Sequence, residues 1–181
     1  MAQQPYQPQR SGSGGRGPSG GVSGGGGGGR GTGGGGYGGN GPEPKSLPNP
    51  RAVTYFQPDG SLVPTLMDNQ AEDLAQRLNQ VSTTQLRRFY DDVLTLRQRL
   101  AAEQRQGRDR EAVFNDLRAD FKMLKAKAVY AHGRSEKTMP RPLLQFFIDH
   151  VAAVNSARDF EAFCKHFQAV VAFHKFYGDN R

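Results

Sequence analysis

Glycine is concentrated at one end of this chain, and this limits how much of the sequence can fold. Twenty of the 24 glycines lie between Gly12 and Gly41, and seven of the 11 prolines lie in the first 50 residues. Such a segment buries too little apolar surface to offset the entropy of ordering it. We therefore predict a disordered, basic Gly/Pro-rich N-terminal tail at residues 1–50, an ordered lead-in at 51–64 and one helical domain at 65–178.

The charge of the chain favours an anionic partner. The formal net charge is +7, and such a balance is typical of proteins that bind nucleic acid or a membrane surface. The tail scatters arginines among glycines as RNA-binding segments do, but so few arginines favour a flexible linker. No apolar run approaches the length of a membrane span, and the N-terminus lacks the apolar stretch of a signal peptide. We expect a cytoplasmic protein that makes no membrane contact.

The body of the sequence repeats its apolar residues at helical spacing. A Pro-Asp-Gly turn in "AVTYFQPDGSLVP" predicts either a small hairpin or a simple ordered lead-in. Five helical segments follow, the first at residues 65–81, and serine, proline and glycine signals separate them. The predicted fold is all-α, a compact bundle of about five helices. The predicted core-facing residues of the fourth helix are Leu144, Phe147, Ile148, Val151 and Val154.

The sequence contains no constellation of residues that indicates catalysis. The four histidines lack the spacing of metal ligands. They are His132, His150, His166 and His174. Asp91 and Asp92 are adjacent, so on a helix they point about 100° apart and cannot share a proton. The single cysteine, Cys164, falls on an apolar stripe, which indicates a buried and inert thiol. We predict that the chain is not an enzyme and uses neither a cofactor nor a metal ion.

Two lines of cations flank the apolar stripe of the predicted third helix. Around "FKMLKAKAVYAHGR", residues 121–134, one line is formed by Arg118, Lys122 and Lys125, and the other by Lys127, Tyr130 and Arg134. Cations one turn apart are separated by about 5.4 Å along the axis, a spacing that suits successive phosphates of an extended strand. Such contacts carry no base identity. The residues alone leave a phosphate-binding face and an ordinary solvated face equally open.

Cations on other helices extend this set. Arg87 and Arg88 each precede an aspartate by four residues, so ion pairs with Asp91 and Asp92 are an alternative to contacts with nucleic acid. Arg97 falls inside an apolar stripe, where a lone buried charge would be costly. We expect it to lie at a bundle end, to reach outward or to meet a partner. The residues predicted to contact a partner are Arg97, Tyr130, Lys165 and Lys175.

Three motifs together resemble one protein family. They are "QLRRFYDDVLTLR", "LKAKAVYAHGR" and "FCKHFQAVVAFHKFYG", in this order within residues 65–178. None is specific alone, but their order and intervals resemble those of the small subunit of type III-A CRISPR effector (Csm) complexes. The glycine-rich tail departs from the pattern of that family.

The resemblance implies a non-catalytic subunit in antiviral defence that binds guide RNA and single-stranded target RNA. It also implies contacts with the backbone subunits, the large polymerase-like subunit and stacked copies of itself. The RNA-binding residues that it implies are Arg87, Arg88, Lys122, Lys125, Lys127 and Arg134. A structural adaptor that bridges subunits, with its cations solvated, remains the alternative. The choice between the two cationic lines also stays open, with Lys122, Lys125 and Arg134 favoured together.

Overall fold

The computed structural model describes residues 46–178 of the chain. Within this range the chain forms five α-helices, which confirms the predicted all-α bundle. The helices are α1 (Asn69–Arg77), α2 (Thr83–Arg105), α3 (Arg110–Arg134), α4 (Arg141–Ala153) and α5 (Ala157–Gly178). The predicted disordered tail lies outside the described residues, apart from residues 46–50. None of the described helices is both long enough and apolar enough to span a bilayer.

The fourth helix is surrounded by the rest of the bundle. α2 packs against α3 and α5, α3 packs against α4, and α1 packs against α5. The core-facing residues predicted for α4 are all buried, but so is every residue from Phe146 to Val151. That run includes Asp149 and His150, which the apolar pattern did not place in the core. A helix that is buried on nearly all sides needs partners for its polar groups as well as for its apolar face.

Aromatic rings join α4 to its neighbours. The ring of Phe146 lies 5.4 Å from that of Phe167, and the ring of Phe147 lies 4.8 Å from that of Phe89. Phe121 of α3 extends the cluster, because its ring lies 5.5 Å from that of Phe163 in an edge-on arrangement. Such ring contacts stabilise the core beyond the burial of their surface.

Side-chain caps fix the starts of two long helices, as the sequence predicts. The Ser82 hydroxyl accepts a hydrogen bond from the backbone N–H of Gln85 at 3.2 Å. At the start of α5 the arrangement is reciprocal, since the N–H of Asp159 donates to the Ser156 hydroxyl and the Ser156 N–H donates to the Asp159 carboxylate. These bonds satisfy backbone donors that have no partner inside the helix.

The first helix is shorter than predicted. It spans Asn69–Arg77 rather than residues 65–81, because a 3₁₀ turn at Pro64–Leu66 precedes it and a turn follows it. A side chain of α5 stabilises the turn that follows α1. Nε2 of His174 donates to the carbonyl oxygens of Leu78 and Val81 at 3.1 and 3.0 Å. The carbonyls of this turn are therefore satisfied by a side chain rather than by a further helical turn.

The lead-in contains the small hairpin that its turn residues indicate. The N–H of Gly60 donates to the carbonyl of Gln57 at 2.9 Å, and the N–H of Val63 donates to the carbonyl of Tyr55 at 2.9 Å. Gly60 has φ of +82°, in the left-handed region that favours glycine. Arg158 of α5 holds the turn, since its guanidinium lies 3.9 Å from the centre of the Phe56 ring.

Two buried histidines attach the lead-in to the bundle. Nδ1 of His150 lies 2.6 Å from the Tyr55 hydroxyl, and Nδ1 of His166 bonds to the carbonyl of Leu66. The two imidazole rings lie 5.0 Å apart. Burial, together with the neighbouring His166, lowers the pKa of His150 well below its ordinary value of 6.5. Burial also lowers the pKa of His166.

We expect the free energy of unfolding to fall as the pH drops below about 6.5, because the unfolded chain binds protons at these two histidines before the folded chain does. For each of these histidines, the free energy of unfolding falls by about 1.4 kcal/mol for every pH unit of acidification between the unfolded pKa and the lower folded pKa. Above the unfolded pKa nothing is lost. Urea unfolding at stepwise pH measures the slope. The His166→Asn variant keeps a donor for the Leu66 carbonyl and should have a shallower slope. Equal slopes in the two proteins would contradict this assignment.

Candidate nucleic-acid interface

The first cationic line lies on the flank of α3 that faces α4. Nη2 of Arg118 donates to the carbonyl of Asn155 at 2.7 Å, and Nζ of Lys122 donates to the carbonyl of Val151. The Val151 carbonyl lies in the last turn of α4, where carbonyls have no partner inside the helix and a cation is favourable, and the Asn155 carbonyl lies just beyond the helix end. Burial, with the charges of Arg118 and Lys125, lowers the pKa of Lys122. Lys122 therefore has a structural role at the end of α4.

Lys125 differs from the other two members of this line in its contacts. It is half-buried, and within residues 46–178 it makes neither a hydrogen bond nor an ion pair. The line predicted as one continuous face thus divides into two cations that bond to backbone carbonyls and one that does not.

The second cationic line lies on the opposite flank of α3, facing α2. Lys127 pairs with Asp92 of α2 at 2.8 Å, and Asp120 pairs with Arg99 of α2 at 2.8 Å. The two pairs are separated by two helical turns on each helix and run in opposite directions, so α2 and α3 are antiparallel with a fixed register. Lys122 and Arg134, which the sequence favours together, consequently lie on different flanks.

Because α2 and α3 are antiparallel, the start of α2 lies at the same end of the pair as the end of α3, and arginines without acidic partners lie there. Arg88 lies one turn before Asp92 on α2, and Arg134 lies two turns after Lys127 on α3, so both lie toward the same end of the helix pair. The guanidinium of Arg134 lies 5.8 Å from the centre of the Tyr130 ring, and Tyr130 is 68% exposed. We call the set Arg88, Tyr130 and Arg134 the basic end of the α2–α3 pair; Arg87, the neighbour of Arg88, points about 100° away from it on the helix.

The expected alternative for Arg87 and Arg88 is not observed. Asp92 bonds to Lys127 across the helix pair rather than to Arg88. In the described part of the chain, neither arginine makes an ion pair, and both are exposed. A cross-helix lysine therefore replaces the within-helix pair that the spacing indicates.

Arg97 finds its partner within the chain. Its Nε lies 3.2 Å from Oε2 of Glu161 on α5, and Arg110 approaches the same carboxylate at 3.8 Å. The Arg97 side chain is 34% exposed, so the pair lies at the edge of the core. This ion pair offsets the cost of partly burying the arginine charge on an apolar stripe, so no second subunit is needed to do so. The other predicted partner contacts on α5, Lys165 and Lys175, lie on its exposed face.

The cysteine and the acidic residues offer no further site. Cys164 is buried, and burial raises the pKa of its thiol, which keeps it protonated and unreactive. Across residues 46–178, no group of three histidine, cysteine, aspartate or glutamate side chains is placed to hold a metal ion.

A family model described as Csm2 Type III-A matches residues 62–180, which include all five helices and both cationic lines. The chain belongs to the Csm2 type III-A family. As a Csm2-family member it is a small subunit of the type III-A Csm complex, and the match confirms the resemblance carried by the three motifs. No curated protein and no solved structure matches the chain.

Sequence reasoning identified the cations of this Csm2-family chain but not their intramolecular partners. It missed Asp92 as the partner of Lys127, Glu161 as the partner of Arg97 and the Val151 carbonyl as the acceptor of Lys122. All three partners lie on other helices at long sequence separation, and one of them is a backbone atom. Only the packing of the helices, which residue spacing does not specify, brings them together.

We expect Lys122→Ala to destabilise the fold by about 1 kcal/mol more than Lys125→Ala, because it removes the donor to a half-buried carbonyl. The two lysines are similarly buried on the same flank of α3, so the variants are matched. Urea unfolding followed by circular dichroism measures the difference. Equal destabilisation by the two variants would show that the hydrogen bond from Lys122 to α4 does not contribute to the free energy of unfolding.

Proposed function

We propose that this subunit binds the sugar–phosphate backbone of RNA in the effector complex through the basic end of the α2–α3 pair. The RNA is the guide RNA and the single-stranded target that pairs with it. One observation carries the proposal. Three arginines near the α2–α3 loop have acidic partners, namely Arg99, Arg108 and Arg110, whereas the arginines of the basic end have none among residues 46–178.

The pairing of charge changes along the surface of α2 and α3. Near the loop, Arg108 lies 3.2 Å from Glu103 and 2.7 Å from Asp116, and Arg99 pairs with Asp120. Exposed pairs of this kind contribute only about 0–1 kcal/mol each. Their main effect is to neutralise the loop end, so that the excess positive charge lies at the basic end.

The residues of the basic end suit RNA without reading its sequence. Arginine side chains can bond to phosphate oxygens with two parallel N–H donors, and an exposed tyrosine ring such as Tyr130 can stack on any base. Neither contact distinguishes one base from another. Base pairing between guide and target then supplies specificity, while this chain holds the backbone. The role proposed is one of binding and not of catalysis.

The three lysines of the predicted RNA-binding set differ in their place in this proposal. Lys125 is open and extends the positive surface onto the flank of α3 that faces α4. Lys127 is half-exposed, and a phosphate could replace Asp92 as its partner. Lys122 contributes charge while it remains bonded to α4.

We assign contacts with protein partners to a surface other than the basic end. A groove of about 590 Å³ between the start of α1 and the end of α5 is lined mainly by apolar side chains, among them Met67, Phe173 and Phe176. Exposed apolar surface of this kind is typical of protein interfaces. We assign it to contacts with the backbone subunits, the polymerase-like subunit or stacked copies of this chain, with Lys165 and Lys175 on the same helix.

A structural adaptor is the second candidate function, and specific contacts favour it. Arg97, Arg99 and Arg108 each pair with a carboxylate in the chain, and Lys122 is bonded to the backbone. Under this alternative the basic end is merely solvated, and the apolar groove alone holds the subunit in the complex. The two candidates differ in what happens when the basic end loses its charge.

We expect Arg88→Gln combined with Arg134→Gln to weaken binding of single-stranded RNA and to reduce its dependence on salt. Each lost phosphate contact should lower the slope of log K against log salt concentration by about 0.7. Fluorescence anisotropy at several salt concentrations measures both quantities, with the isolated chain and with the assembled complex.

The matched control is Arg99→Gln combined with Arg108→Gln, which removes the same charge from the ion-paired part of the same surface. It should leave the slope nearly unchanged. An unchanged slope in the first variant, with the complex still assembled and binding target, would reject the RNA proposal and support the adaptor.

A further inference from the structure

A groove of about 950 Å³ lies between the lead-in, α1 and α4. Its volume is within the usual range for sites that bind small molecules. It shares no residue with the basic end of the α2–α3 pair, and the RNA-binding role proposed above leaves it without a function. Its inner wall is formed by buried side chains, among them Leu66, Phe146, His150 and His166, and exposed charged side chains lie at its mouth.

The ring of His166 presents a hydrogen-bond acceptor to the groove. Its Nδ1 bonds to the carbonyl of Leu66, and a carbonyl can only accept, so Nδ1 carries the hydrogen. Nε2 is then left with a lone pair, and it has no partner within the described residues. The ring is only 4% exposed and lines the groove, so a ligand in the groove is the natural donor to it.

The ring of His150 presents the complementary donor. Its Nδ1 lies 2.6 Å from the Tyr55 hydroxyl, which has no other acceptor in residues 46–178. The hydroxyl hydrogen therefore goes to Nδ1, and Nε2 of His150 carries the ring hydrogen. The centres of the two imidazole rings lie 5.0 Å apart, and the centre of the Phe146 ring lies 4.3 Å from that of His150, so one donor and one acceptor lie at the buried, aromatic end of the groove.

The mouth of the groove has an excess of positive charge. Three arginines and two aspartates line it. The arginines are Arg51, Arg77 and Arg141. One of the aspartates, Asp149, already accepts hydrogen bonds from the backbone N–H of Arg51 at 2.7 Å and from Gln145 at 2.6 Å. The guanidinium groups of Arg77 and Arg141 make no ion pair in the described part of the chain.

We propose that this groove binds one nucleotide, with its base against Phe146, His150 and His166 and its phosphate at the arginines of the mouth. A nucleobase combines a flat π-face with an edge on which a donor and an acceptor are neighbours. Its phosphate suits guanidinium groups. This assignment does not rest on RNA binding at the basic end.

The test is titration of the full-length protein with AMP, with adenosine and inorganic phosphate as partial probes, followed by amide NMR shifts. AMP should shift residues of the groove. His166→Asn keeps a donor for Leu66 but removes Nε2, and Arg77→Gln with Arg141→Gln removes the charge at the mouth. Each variant should weaken AMP binding by about tenfold, while Arg99→Gln, which lies outside the groove, should not. Thermal unfolding checks that the variants are folded.

A short single-stranded RNA, titrated in parallel, separates the two sources of the nucleotide. If the groove variants weaken both AMP and RNA binding, a nucleotide of the strand enters the groove, and if they weaken AMP alone, a free nucleotide is the ligand. No shift in the groove at about 10 mM AMP, or AMP binding that is unchanged in both variants, would overturn the proposal. The salt slope governed by Arg88 and Arg134 is a separate readout, so failure of either proposal is distinguishable.

Discussion

The burial of α4 is the constraint on which the rest of this structure depends. The helix is covered on nearly all sides, with Phe146 at the centre of an aromatic cluster that reaches α5. The carbonyls at its C-terminal end have no partner inside the helix, and unpaired buried carbonyls are costly. Lys122 and Arg118 of α3 satisfy those at and just beyond this end, on Val151 and Asn155. Part of the positive charge on α3 is therefore required by the fold.

Ion pairs between α2 and α3 further limit which cations are available to a partner. On the other flank of α3, Lys127 is bonded to Asp92, and further along the pair Arg99 is bonded to Asp120. On the surface that α2 and α3 share, the arginines without acidic partners within residues 46–178 include those at the start of α2 and the end of α3. A Csm2-family subunit with such a surface is suited to hold RNA without reading it.

Much of the fold could be predicted from the sequence because its signals are local. The caps at Ser82 and Ser156 and the turn at Gly60 are each specified by residues within a few positions of one another. The site was predicted less well. Residue spacing places cations on a helix face, but it does not say that Glu161 lies beside Arg97. Nor does the apolar pattern of α4 show that His150 is buried, since a period of 3.6 describes one face and not a helix enclosed on all sides.

Ultraviolet crosslinking of the assembled effector complex to its target RNA, followed by mass spectrometry, tests the central claim most directly. RNA binding at the basic end predicts adducts on the peptide of residues 128–134, where the exposed ring of Tyr130 lies beside Arg134. Stacking of a base on this ring places it within reach for crosslinking. Adducts confined to α5 or to the loop end of α2 and α3, with none on this peptide, would contradict the account.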